Sequence, residues 1–170
     1  VSHIFADEGA SLTWAELRDI AADIAARLSG LGVEKAESVA LCLPNGRAGI
    51  TCLFGALYGG FRATPLNLAA GASAMGYAIE HSKAAVALVG TSQTTTFADA
   101  LTETEARPTA IEVGEAIIWP TDTTAALADV TASDHALLMY TSGTTGRPKG
   151  VVHDQSSLLA GGWTVALAHE

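Results

Sequence analysis

Between residues 38 and 89 the chain alternates short, largely apolar runs with stretches of helical periodicity. Residues 38–43 are an apolar run stopped by Pro44 and Asn45, the pattern of a buried strand. Residues 50–58 make an apolar helix closed by Gly59 and Gly60, and residues 61–66 a second strand. Residues 73–81 form a helix with Met75, Ala78 and Ile79 on one face, and residues 84–89 are a third apolar strand. Strand, helix, strand, helix, strand predicts parallel strands joined by crossover helices and buried on both faces. The expected fold class is α/β, a doubly wound parallel sheet.

The flanks are less regular. Residues 4–6 and 11–13 predict a short hairpin about an acidic glycine turn at 7–9. Thr13 and Glu16 have capping-box spacing. They open a helix whose apolar face is Trp14, Leu17, Ala21, Ile24, Ala25 and Leu28. Gly30 and Gly32 end it; because they follow a helix, they do not make a dinucleotide fingerprint. Downstream, 91–101 predicts a helix after a polar start, 109–113 and 116–119 short strands, and 120–130 a linker with a surface helix. Residues 136–140 predict an apolar strand, Val151 and Val152 a returning one, and 156–168 a helix interrupted at Gly161 and Gly162. The turn between the last two strands is expected to lie between buried strands.

That turn, residues 140–150, reads Tyr-Thr-Ser-Gly-Thr-Thr-Gly-Arg-Pro-Lys-Gly. Glycines let backbone come close to a ligand and adopt positive φ. Successive N–H groups can form a nest for oxyanions. Ser142, Thr144 and Thr145 supply hydroxyls, and Lys149 is a compact charge suited to phosphate. It is not a Walker loop: Lys149 follows Pro148, not glycine, and precedes Gly150, not Ser or Thr.

Charge sharpens the picture. The net charge of −9 argues against nucleic acid and anionic membranes as partners, and it makes Arg147 and Lys149 an island of positive charge. With 49% hydrophobic residues and a mean hydropathy of +0.30 the chain can fill a core. No apolar run reaches the roughly 18 residues of a membrane span. Cys42 and Cys52 lie in apolar surroundings and read as reduced, buried thiols, which fits a cytoplasmic enzyme.

The run from Asp134 and Ala136 through Tyr140 to Val151 closely resembles the signature of the adenylate-forming (AMP-binding) superfamily, of acyl-CoA synthetase type. That superfamily also holds luciferases and peptide-synthetase adenylation domains. The likeness extends upstream, to Leu12 through Leu17, Val39 through Asn45 and Gly59 through Asn67. The resemblance implies an enzyme that makes an acyl-adenylate from a carboxylate and ATP, then passes the acyl group to coenzyme A. It implies Thr141, Ser142, Gly143, Thr144, Thr145, Gly146 and Lys149 as the residues that hold ATP phosphates, Lys149 as the catalytic cation, and Thr144 as a hydroxyl ligand of Mg²⁺. Where the family often has a histidine after the loop this chain has Gln155, and His153 reads as a surface imidazole.

The superfamily's later elements for adenine, ribose and the adenylation lysine are not found before residue 170. Residues 1–170 are thus expected to be the N-terminal part of an AMP-binding domain, ending just after the loop at 140–150. The C-terminal domain is expected to be missing from this stretch, and the chain is expected to be inactive alone and prone to self-association. The alternatives are a non-catalytic nucleotide-binding or protein-interaction homologue and a peptide-synthetase adenylation domain. An ordinary P-loop NTPase is disfavoured by the order Pro148, Lys149, Gly150.

Overall fold

The structure, a computed structural model, describes residues 3–5, 10–141 and 148–168. A two-stranded antiparallel hairpin, β1 (His3–Phe5) with β2 (Ala10–Leu12), leads into α1 (Trp14–Gly30). The main sheet has six strands: β3 (Ser38–Cys42), β4 (Arg62–Pro65), β5 (Val86–Gly90), β6 (Thr109–Val113), β7 (His135–Thr141) and β8 (Lys149–Asp154). Their spatial order is β6-β5-β3-β4-β7-β8. All neighbouring pairs are parallel except β7 with β8. The sheet is therefore mixed where a parallel one was expected, and the exception lies at the strand pair that carries the loop.

Helices cover both faces. α1 and α2 (Arg47–Tyr58) pack on one, against Val39, Leu41, Val86, Leu88, Ile111 and Val113. α3 (Ala72–Ser82) and α4 (Thr94–Thr102) pack on the other, against Ala40, Cys42, Ala87 and Val89. Alternate residues of β3 and β5 thus feed two separate cores, which is why those strands contain no polar position beyond Ser38. Close approach of α1 to α2 depends on Gly55, where an added Cβ would fall 2.4 Å from Ile24 Cγ2.

The capping box is present. Thr13 Oγ1 accepts from the Glu16 N–H at 3.2 Å, and Glu16 accepts from the Thr13 N–H at 2.8 Å. These bonds hold the Glu16 carboxyl below its ordinary range. Both cysteines are free and buried. Burial pushes the Cys42 thiol up to about 11 and that of Cys52 to about 12, so both are inert neutral thiols in the folded chain.

Five expectations are corrected. Trp14 does not belong to the buried face of α1; it is 64% exposed, because the face that meets α2 starts one turn later at Leu17. Residues 120–130 contain no helix. They run as an irregular strap along α1, tied by the Ala125 N–H to Ala26 O at 3.0 Å and by Ser29 Oγ to Ala126 O at 3.3 Å. Residues 116–119 do not form a strand; Ile117 makes one isolated bridge to Val113. α5 (Gln155–Ala168) continues through Gly161 and Gly162, its exposed face demanding nothing of them. Finally, β8 is exposed, with Val151 and Val152 both over 40% accessible, because it forms one edge of the sheet.

Candidate functional site

β7 runs parallel to β4, and through it to β3, β5 and β6. Its carboxyl end therefore opens on the same edge of the sheet as theirs. Ligands of open α/β sheets sit outside the carboxyl ends of the strands, near points where successive connections leave in opposite directions. Here the connection from β4 crosses back over β3 to β5, whereas β7 turns outward to β8. The turn thus departs at such a point.

The roots of the turn are well defined. Thr141 pairs with Lys149 and Tyr140 with Gly150 across the antiparallel ladder. Both Thr141 and Lys149 are exposed, and the Lys149 ammonium makes no ion pair with any described residue. Ser142, Gly143, Thr144, Thr145 and Gly146 lie outside the described residues. Among the described residues no cluster of His, Cys, Asp or Glu could hold a metal ion.

Two anchors set the hairpin's far end. Lys35 Nζ meets Asp134 Oδ2 at 2.7 Å, and the Thr131 N–H donates to the same carboxylate at 2.6 Å. Together they hold the Asp134 carboxyl below its usual range, the lysine contributing most. Asp154 precedes α5 and caps it, accepting from the Ser157 N–H at 2.7 Å and Ser156 Oγ at 2.8 Å. An Asp directly before a helical run is an N-cap signal present in the sequence and not used above. Gln155 reaches away from the turn, donating to Leu57 O at 3.4 Å. His153 is half-buried opposite Leu137, four positions along β8 from Lys149, not a free surface imidazole.

Under the turn's roots sits a cluster with no clear sequence signal. Tyr140 is half-buried against α3, with its hydroxyl 2.8 Å from His81 Nδ1 and 3.3 Å from Ala78 O. Tyr77 stacks on His81 with centroids 5.4 Å apart and presents its edge to Tyr140 at 6.3 Å. Burial, with a smaller contribution from Tyr77, pushes the Tyr140 hydroxyl up to about 12. The only hint was that Tyr77 and His81 are four apart on one helix.

Clefts open elsewhere among the described residues. One of 720 Å³ lies between α1, the start of α2 and residues 113–119; one of 400 Å³ lies around Pro44, Ile50 and Pro65. Neither is lined by Tyr140, Thr141 or residues 148–150.

A mostly parallel sheet wrapped by helices on both faces, with an antiparallel strand pair at one edge, places the chain in the α/β class. Within that class the chain belongs to the AMP-binding enzyme family, whose match covers residues 1–170. Its relatives include a sulfoacetate–CoA ligase from Cupriavidus necator, 30% identical over 96% of this chain and 33% of that protein. A linear gramicidin synthase from Brevibacillus parabrevis is 31% identical over 87% of this chain and 2% of that protein. A solved fatty acyl CoA synthetase from Mycobacterium tuberculosis superposes with a TM-score of 0.74 at 25% identity, covering 95% of this chain and 33% of that one. The chain spans about a third of the length of the CoA ligases it matches. Among the described residues no helix is long and apolar enough to cross a membrane.

Proposed function

We propose that this chain supplies the phosphate-gripping part of an ATP-dependent acid–thiol ligase, an acyl-CoA synthetase that forms an acyl-adenylate and then a CoA thioester. One observation carries the reading. The strand leading into the turn ends on the carboxyl side of the sheet, with Thr141 and Lys149 paired and exposed there. A carboxylate is a poor electrophile until its oxygen becomes part of an AMP leaving group. It must also approach a polyanion. Cations and N–H donors fixed at the β- and γ-phosphates lower that barrier and stabilise the departing pyrophosphate. In this reading Thr141, Ser142, Gly143, Thr144, Thr145, Gly146 and Lys149 hold ATP, and Lys149 neutralises developing charge. The Thr144 hydroxyl would supply one oxygen ligand to a Mg²⁺ ion that offsets phosphate charge. ATP, CoA and two inert thiols fit a cytoplasmic setting.

The test uses the full-length protein and measures carboxylate-dependent exchange of radiolabelled pyrophosphate into ATP across fatty, aryl and amino acids. We expect exchange with one acid class and transfer of that acyl group to CoA. Exchange followed by transfer only to a carrier-protein thiol would instead select the adenylation-domain reading, which the gramicidin synthase relative supports. A protein that exchanges with no acid would be a non-catalytic homologue. The isolated 170-residue chain is expected to give no exchange.

The same isolated chain is proposed to self-associate. No residue of α5 is buried, and Leu159, Trp163, Val165 and Leu167 are each over half exposed beside Val151 and Val152. An apolar face of that kind next to a free strand edge favours a second copy. Size-exclusion elution should move to larger species as concentration rises, and elution as a monomer at every concentration would refute this.

A further inference from the structure

We propose that Tyr77, His81 and Tyr140 form a clamp that fixes the carboxyl end of β7 against α3, and that His81 and Tyr140 are thereby positioning residues for Thr141 and Lys149. The inference rests on the phosphate-gripping reading for its consequence, but not for its geometry. Tyr140 is the last residue of β7 with a partly buried side chain; Thr141 beyond it is exposed. Its hydroxyl has two partners on α3, and a tyrosine has one proton. Both contacts are satisfied together when His81 Nδ1 carries hydrogen and donates to the Tyr140 oxygen, while Tyr140 donates to Ala78 O. The stacked Tyr77 ring fixes the imidazole plane, and the edge of Tyr140 closes the third side.

The clamp reaches β8 through Gly150. A Cβ there would lie 3.1 Å from Leu138 Cδ1, 3.4 Å from Tyr140 Cε1 and 3.6 Å from His81 Cε1. Strand β8 thus rests directly on the clamp, and the next residue back is Lys149, paired with Thr141. Fixing Tyr140 therefore fixes the separation and twist of the two residues that bracket the turn. Without it the hairpin end is an exposed two-strand edge with no other side-chain tie to α3 among the described residues.

The test compares His81→Ala, Tyr140→Phe and the double variant in the full-length protein. Tyr140→Phe keeps the ring and removes only the hydroxyl, so it should fold. Amide hydrogen exchange at 138–141 and 148–152 should quicken by about threefold to tenfold in each single variant, the range for one hydrogen bond. The double variant should be faster than either single variant but by less than the product of their two factors, because each single variant already loses the shared His81–Tyr140 bond. The KM for ATP should rise by a similar factor with kcat little changed. Exchange unaltered in both single variants, or factors that multiply in full in the double variant as for independent sites, would overturn the clamp. Quickened exchange with an unaltered KM for ATP would leave the clamp standing and overturn its coupling to nucleotide. Lys149→Ala, run alongside, separates that outcome from failure of the phosphate reading, because it tests ATP contact without touching the clamp.

Discussion

Replacing Lys149 with alanine is expected to weaken ATP use by about ten- to a hundredfold while leaving the fold intact. A charge-assisted hydrogen bond is worth about 1.5–3 kcal/mol, and about 1.4 kcal/mol is a factor of ten. The fold should survive because Lys149 contributes to the sheet through its backbone, paired with Thr141, while its side chain is exposed. The turn's other cation, Arg147, carries a planar guanidinium that does not reproduce a compact ammonium. The measurement is steady-state pyrophosphate exchange at varied ATP in the full-length protein, with a thermal melt as the control. An unchanged rate at all ATP concentrations removes Lys149 from the mechanism. Lys149→Arg should recover part of the loss, since it restores the charge but not the compact ammonium.

The second large effect concerns stability. Phe61→Ala is expected to cost about 3–5 kcal/mol, the usual range for truncating a buried phenylalanine. Phe61 is 2% exposed in the core under α1 and α2. Its ring lies against Gly59 so closely that a Cβ there would meet Phe61 Cε2 at 2.3 Å. Its own N–H donates to Ala56 O at 3.0 Å, so the backbone that frames the ring is held in place. A cavity walled by a helix end and a strand cannot easily collapse. A domain of this size loses about 2–4 °C of melting temperature per kcal/mol, so the melt should fall by roughly 10 °C. Urea titration that finds a loss below about 1 kcal/mol would show that the surrounding backbone does relax. Phe61 lies in the core rather than at the turn, so ATP affinity of the folded fraction should not change.

The alternating pattern of residues 38–89 was legible because β3 and β5, buried on both faces, leave little room for polar residues. β3, β4 and β5 fall within a residue or two of their expected ends. The place of the turn was legible because its glycines and hydroxyls separate the segments that form β7 and β8. Where the pattern misled, the cause was tertiary. Trp14 keeps helical spacing with the core residues but projects before the helix pair begins. Residues 120–130 have composition compatible with a surface helix, yet their backbone is tied to α1. Val151 and Val152 are apolar enough for a core strand but sit on the sheet's edge.

The order of the central elements, the two-sided burial of β3 and β5, the free buried cysteines and the place of a Gly/Thr-rich segment between two strands were written in local composition and period. Those properties need only the residue and its near neighbours in the chain. The reversal of β8, the strap along α1, and the meeting of Tyr140 with His81, 59 positions apart, depended on which strand lies beside which. Strand order is chosen by packing between segments far apart in the chain, and one-dimensional periodicity carries no record of it.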